Sequence, residues 1–256
     1  MPSGRSSAAL LASLLASAPL LAAAQDCTDA PERGAARPEL SGPVETVPTD
    51  DGRFLLHFTR EGQDRPAGMD DLDGNGREDV LDRVIAGLWA GEDQFPAAGW
   101  LSAARDDGEG GDDRIDVYLR SIDANGYAFH AAPEAGSDAA SSCTMHLEGS
   151  LGDSLPGILE SVAAHELHHC VQYAYTTLAP SWLLEATATY EQYRALTSPA
   201  LAAAVEVLWI TRLSRPDRSL DDLDGRYEYA GFAFLFFWES FGAPERGRAG
   251  ALWSAQ

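Results

Sequence analysis

The chain has 256 residues, 45% of them hydrophobic, and its 18 basic residues, every one of them Arg, face 40 acidic ones for a net charge of -22. The hydrophobic share supports a sizeable core and excludes a mainly disordered chain. The acidity argues against a nucleic-acid partner, whose phosphates it would repel, and suits an exported protein or one that collects divalent cations.

Residues 1–24 read as a signal peptide. Arg5 gives the charged start, Ala8 to Leu21 the apolar stretch and Ala22-Ala23-Ala24 the small-residue cleavage site. The mature chain is therefore expected to be secreted, extracellular or periplasmic, with no membrane partner after cleavage; no other segment is apolar enough to span a bilayer. Residues 25–50, with Pro31, Pro38, Pro43 and Pro48, predict a flexible N-terminal segment or short pro-segment ahead of one domain at 51–256. Phe54 to Thr59 predicts a strand, and an acidic Gly-rich loop follows at 70–79. Val80, Leu81, Val84, Ile85, Leu88 and Trp89 recur at helical spacing. After a second acidic loop at 105–113, Ile115 to Leu119 and Cys143 to Leu147 predict two more strands. Beyond Gly157 the pattern turns helical: 158–175, then 181 to about 196 with Ser181 as N-cap, then 200–213, then a strongly apolar and hence buried 229–241. A small N-terminal sheet followed by helices is an α+β arrangement. Three cysteines in an exported chain favour one disulfide, Cys143 with Cys170, with Cys27 left over; the alternative is Cys170 as a buried free thiol.

Within the first of those helices stands His165-Glu166-Leu167-His168-His169. Histidines four apart project from one helix face about one turn apart, a spacing that lets both bind one Zn²⁺. Glu166 is then placed to act as general base on a water at the metal. His168 falls outside this frame and reads as a neighbour. The apolar residues around the motif, Leu159, Val162, Ala163 and Val171, favour a buried helix over a solvated one with clustered histidines. A catalytic site needs a third protein ligand, and Glu185 is the best placed. About 9 Å of helix rise after His169 and about 6 Å from Ser181 to Glu185 are similar enough for a short turn at 176–180 to fold Glu185 back. Glu191 is the rival ligand, and the bland reading makes Glu185 a first-turn acid on an exposed helix.

Upstream, Asp71, Asp73, Asn75, Gly76, Asp79 and Asp82 fall at positions 1, 3, 5, 6, 9 and 12 of an EF-hand-type loop, with the Arg77 carbonyl at 7. A Ca²⁺ there would be structural, pinning the sheet to the following helix. Pro66 and Gly68 argue against an entering helix, position 12 is Asp in place of Glu, and the bland reading is an acidic solvated turn.

The zinc motif followed by Trp182-Leu183-x-Glu185-x-x-Ala188 resembles the gluzincin arrangement of zinc peptidases. With Asp71-x-Asp73-Gly74-Asn75-Gly76-x-x-Asp79 and Asp116-Val117-Tyr118-Leu119 ahead of it, the order over roughly 54–242 is similar to a group of secreted bacterial zinc metalloproteases. The resemblance implies a zincin-like fold, Glu185 as third ligand and a Tyr supporting the oxyanion on the segment entering the last helix. Glu228 holds the aligned position there, flanked by Tyr227 and Tyr229; Tyr227 is the candidate, and the bland reading makes both tyrosines ordinary aromatic packing. Fuller peptidases carry more sequence beyond that helix, so the expectation is either few substrate subsites or a chain that is a fragment of a longer one. The function so reached is hydrolysis of a peptide or protein substrate. The alternatives are a calcium-stabilised, catalytically weak surface or binding module on a zincin fold, and a zinc hydrolase of a non-peptide amide.

Overall fold

The computed structural model describes residues 37–106, 108, 111–131, 140–241 and 253. The expected signal peptide and Cys27 lie outside the described residues.

A five-stranded sheet is built from β1 (Val44–Pro48), β2 (Phe54–Thr59), β3 (Ile115–Arg120), β4 (Gly126–His130) and β5 (Cys143–Glu148), in the order β1-β2-β3-β5-β4. The central three run parallel and the outer two antiparallel to their neighbours. A parallel pair needs a crossover, and helix α1 (Asp79–Ala97) supplies the one between β2 and β3. Two strands differ from the sequence expectation. Val44–Pro48, within the segment expected to be flexible, pairs along β2 from Val44↔Thr59 to Pro48↔Leu55, and Gly126–His130 forms the opposite edge. Both are edge strands with little buried surface, so neither carries the apolar alternation that marks a half-buried strand.

Period-two alternation gives the sheet two unlike faces. Phe54, Leu56, Phe58, Val117, Leu119, Met145 and Leu147 lie in the hydrophobic core with the helices. On the other side His57, Tyr118 and His146 stand in one register row, with ring centroids 4.4 and 5.4 Å apart.

The second half is helical: α2 (Ile158–Tyr173), α3 (Ser181–Ala195), α4 (Pro199–Leu213), a short α5 (Tyr227–Ala230) and α6 (Phe232–Phe241). The fold is thus α+β, a small N-terminal sheet with helices after it. Every residue of α2 from Ile158 to Gln172 is buried except Glu160. It packs against α1 closely enough that a Cβ on Gly87 would stand 2.1 Å from the Glu160 carbonyl oxygen. Arg83 of α1 fastens the approach to α2, donating to the Glu160 carboxylate at 2.9 and 3.0 Å and to the carbonyls of Gly152 and Leu155. The disulfide joins Cys143 to Cys170, Cα atoms 5.5 Å apart, and staples β5 to α2. Ser181 is the first residue of α3 and Pro180 takes the cap position, where the Leu183 and Leu184 amides bond to its carbonyl. Gly231 breaks the expected fourth helix into α5 and α6. Nor is α6 buried throughout: Phe232, Ala233 and Leu235 face the core, whereas Phe237 is 48% and Phe241 81% exposed. A helix apolar on every side gives no period from which to choose its buried face.

Candidate metal centre

His165 and His169 lie one turn apart on α2, and Glu185 reaches them from the start of α3. One donor atom from each falls within 4.8 Å of the others, and all three residues are buried. His165 Nε2 is 3.2 Å from Glu185 Oε2, and His169 Nε2 is 3.7 Å from Glu185 Oε1. The opposite ring nitrogens are engaged elsewhere. His165 Nδ1 meets Gln192 Oε1 at 3.1 Å, and His169 Nδ1 meets Gln172 Oε1 at 2.7 Å. Amide oxygens only accept, so both rings carry hydrogen on Nδ1 and turn Nε2 toward Glu185. Two imidazoles and a carboxylate, with a hydrogen-bonding group behind each ring, fit the donor set of a Zn²⁺ ion.

Electrostatics follow from putting these groups out of water. Burial works to raise Glu185, but His169 and His165 hold its carboxyl well below the usual carboxylate range. Burial opposes a charge on His169, yet Glu185 and Glu166 bring it up to about 9. Burial pushes the Glu166 carboxyl up, against the pull of His169 and His165. Glu166 accepts no hydrogen bond from a described residue and lies against β4, where a Cβ on Gly126 would sit 2.6 Å from its Oε1.

The other candidates separate. Glu191 is fully buried away from the cluster, accepting from Trp100 Nε1 at 2.9 Å and from Arg194 at 3.4 Å. His168 is packed edge-on between Phe95 and Trp100, held neutral by burial and by the neighbouring His169 and His165. Tyr227 does not join the site: its phenol donates to the Arg215 carbonyl at 2.7 Å and lies under Arg212 and Arg218. Tyr229 is the neighbour of the cluster, its ring stacked on His165 with centroids 5.9 Å apart. Side chains two apart on a helix point to different sides, so only one of the pair can face α2. Gln172, Gln192 and Gly126 were not singled out in the sequence. The three-residue spacing from His169 to Gln172, which keeps both on one helix face, was the available signal.

In the acidic loop, Asp71, Asp73 and Asp79 bring donor atoms within 4.8 Å of one another. Asp71 caps the turn, accepting the amides of Gly74, Asn75 and Gly76 at 2.8 to 3.1 Å. Those amides, Gly76 first, hold its carboxyl below the usual range. Asp82 does not join them. It is bonded by the Arg77 side chain and by Asn75 Nδ2 at 2.8 Å, while Asn75 Oδ1 accepts the Arg77 amide at 2.8 Å. The α1 helix begins at Asp79, as the spacing predicts.

Compared with protein-family models, with curated proteins and with solved structures, the chain finds no match.

Proposed function

We propose that this chain is a secreted zinc-dependent peptidase of zincin-like fold and gluzincin ligand type, with His165, His169 and Glu185 as ligands and Glu166 as general base. The observation that carries this is the buried convergence of two imidazole Nε2 atoms on one carboxylate, with a second carboxylate beside them. Four titratable groups out of water are costly to assemble, and such assemblies concentrate where chemistry needs them.

A zinc ion held there would supply the Lewis acidity that polarises an amide carbonyl and acidifies a water. Glu166, buried beside the two histidines, would take the proton from that water. The same carboxyl would then hand the proton to the leaving amine. Tyr229, stacked on His165, replaces Tyr227 as the phenol proposed to hydrogen-bond the developing oxyanion. The outer edge strand β4 supports a peptide as substrate. Among the described residues it has one strand neighbour, and an extended peptide added to its other side would run past Gly126 and so past Glu166.

The test is metal content and casein hydrolysis of the purified protein and of Glu185→Ala. One zinc per wild-type chain, lost together with hydrolysis in Glu185→Ala, is expected. A Glu185→Ala protein that keeps stoichiometric zinc would sink the ligand set. A zinc-bound wild type that cleaves no peptide would favour the binding-module reading.

We further propose Ca²⁺ as a structural ion of the 70–79 loop, through Asp71, Asp73 and Asp79, whose donor atoms already face one another. Saturating calcium at about a hundred times its dissociation constant should add about 2.7 kcal/mol of stability. Melting temperatures in calcium and in EGTA that agree for wild type, as they should for Asp71→Ala, would remove this assignment.

A further inference from the structure

Gln172 takes no part in the proton transfers above, yet it is fully buried and hydrogen-bonded on every side. Its Nε2 donates to the Leu184 carbonyl at 2.8 Å, and because a carbonyl only accepts, the orientation of the amide is fixed. Nε2 also donates to Thr187 Oγ1 at 2.7 Å, since the Thr187 hydroxyl gives its own proton to the Leu183 carbonyl. His168 Nδ1, at 3.1 Å, is a third acceptor for this nitrogen's two hydrogens, one of which is therefore shared. Oε1 is left as a pure acceptor, and its donor is His169 Nδ1 at 2.7 Å. With its Nδ1 hydrogen so held, His169 has Nε2 as the nitrogen it turns toward Glu185.

We propose that Gln172 is a positioning residue of the metal centre with two linked effects. It fixes His169 as the Nδ1–H tautomer. Through Leu184, the residue before Glu185, and through Thr187, it also ties the helix carrying two ligands to the helix carrying the third. This rests on the reading of His165, His169 and Glu185 as a zinc site. It also gives His168 a role. With Nδ1 accepting a shared hydrogen from Gln172, His168 holds its proton on Nε2, which has no hydrogen-bond partner among the described residues and lies among the rings of Phe95 and Trp100. That aromatic seat stands behind the amide and keeps water from it. Gln192 makes the corresponding contact to His165 but is only half-buried, so the two ligands are not held alike.

The experiment measures Zn²⁺ affinity by chelator competition, with the hydrogen-bonded imidazole N–H signal of the zinc-loaded full chain followed by nuclear magnetic resonance. Gln172→Met keeps the volume and loses both functions; zinc affinity should fall about 10- to 100-fold and the His169 Nδ1–H should exchange quickly with water. Gln172→Glu keeps the acceptor for His169 but loses the donor to Leu184 and Thr187, and should retain that N–H signal while recovering only part of the affinity. Thr187→Val loosens the tie between helices alone, and should cost less than Gln172→Met. Zinc binding by Gln172→Met as tight as wild type overturns the inference, and so does an equal loss in Thr187→Val, which would make packing the whole effect. If Gln172→Met fails to fold, a folded Gln172→Glu that keeps the protected N–H upholds the proposal and one that loses it overturns it. A wild-type chain that binds no zinc fails at the earlier step, and is thereby distinguished from failure of Gln172 alone.

Discussion

Two sets of histidines sit on either side of the same sheet layer, and each has a carboxylate in reach. On the outer face, His57 Nε2 is 2.7 Å from Asp116 and its ring lies flat on Tyr118 at 4.4 Å. Asp116 is already engaged by Arg37. His146 packs edge-on against Tyr118 and tilted against Phe129. These imidazoles behave as flat, partly polar packing units, each using its own neighbours. On the helical side, His165 and His169 turn the same nitrogen toward one carboxylate and give the other nitrogen to an amide oxygen. The difference teaches what separates a site from a satisfied core. A His–carboxylate pair is common, whereas convergence of two Nε2 atoms with both Nδ1 atoms committed behind them is an arrangement packing alone does not require.

The comparison is broken most sharply by removing a carboxylate from each side. Glu166→Gln should lower kcat by about 10²- to 10⁴-fold, with zinc content unchanged, because only the proton acceptor is lost. Asp116→Asn should leave kcat alone and cost about 1–3 kcal/mol in urea unfolding, since Arg37 is left with a weaker buried partner. Peptide hydrolysis that survives Glu166→Gln, or falls as far in Asp116→Asn, would erase the distinction between the two sides. A smaller effect separates the tyrosines. Tyr229→Phe should reduce kcat about 10²-fold with little change in zinc affinity. Tyr227→Phe should lose about 1 kcal/mol of stability, from its bond to the Arg215 carbonyl, and keep its kcat. The reverse pattern would return the oxyanion role to Tyr227.

How much of this was legible in the sequence depends on which physical rule was in force. Helix geometry is rigid, so the spacing from His165 to His169 and the turn length before Glu185 bring the three side chains together much as the residue arithmetic suggests. Strands β2, β3 and β5 are central and apolar, and they read clearly from Phe54, Ile115 and Cys143 onward. The edge strands β1 and β4 did not, because half-solvated edges carry no alternation. Tyr227 and Tyr229 are indistinguishable by composition, and their sorting depends on how α5 is turned against α3 and α2, which no local pattern encodes. Asp82 matched position 12 of the loop by spacing, but the Arg77 guanidinium competes for it, and loop spacing does not report such competition. Gln172 looked like an ordinary polar residue in an apolar helix until its partners on α3 were in view.

The last prediction concerns the outer face alone, and it has the least bearing on turnover. Burial first, and then the charge of Arg120, bring the His146 pKa down to about 4. An unfolded His takes its proton near pH 6.5. Between those values the unfolded chain binds a proton that the folded chain refuses, so stability should fall as the pH drops from 6.5 toward 4 and level off below. The contribution is at most about 3 kcal/mol, present in full above pH 6.5. His146→Phe keeps a ring against Tyr118 and Phe129 but cannot titrate. Its unfolding free energy, measured by urea denaturation across that window, should show a shallower slope than wild type, while zinc affinity at neutral pH stays the same. An unchanged slope would mean that His146 is protonated in the folded chain and that the outer face is more open to water than its packing indicates. A drop in zinc affinity would mean that the two sides of the sheet are coupled, and that the histidines contrasted above form one system.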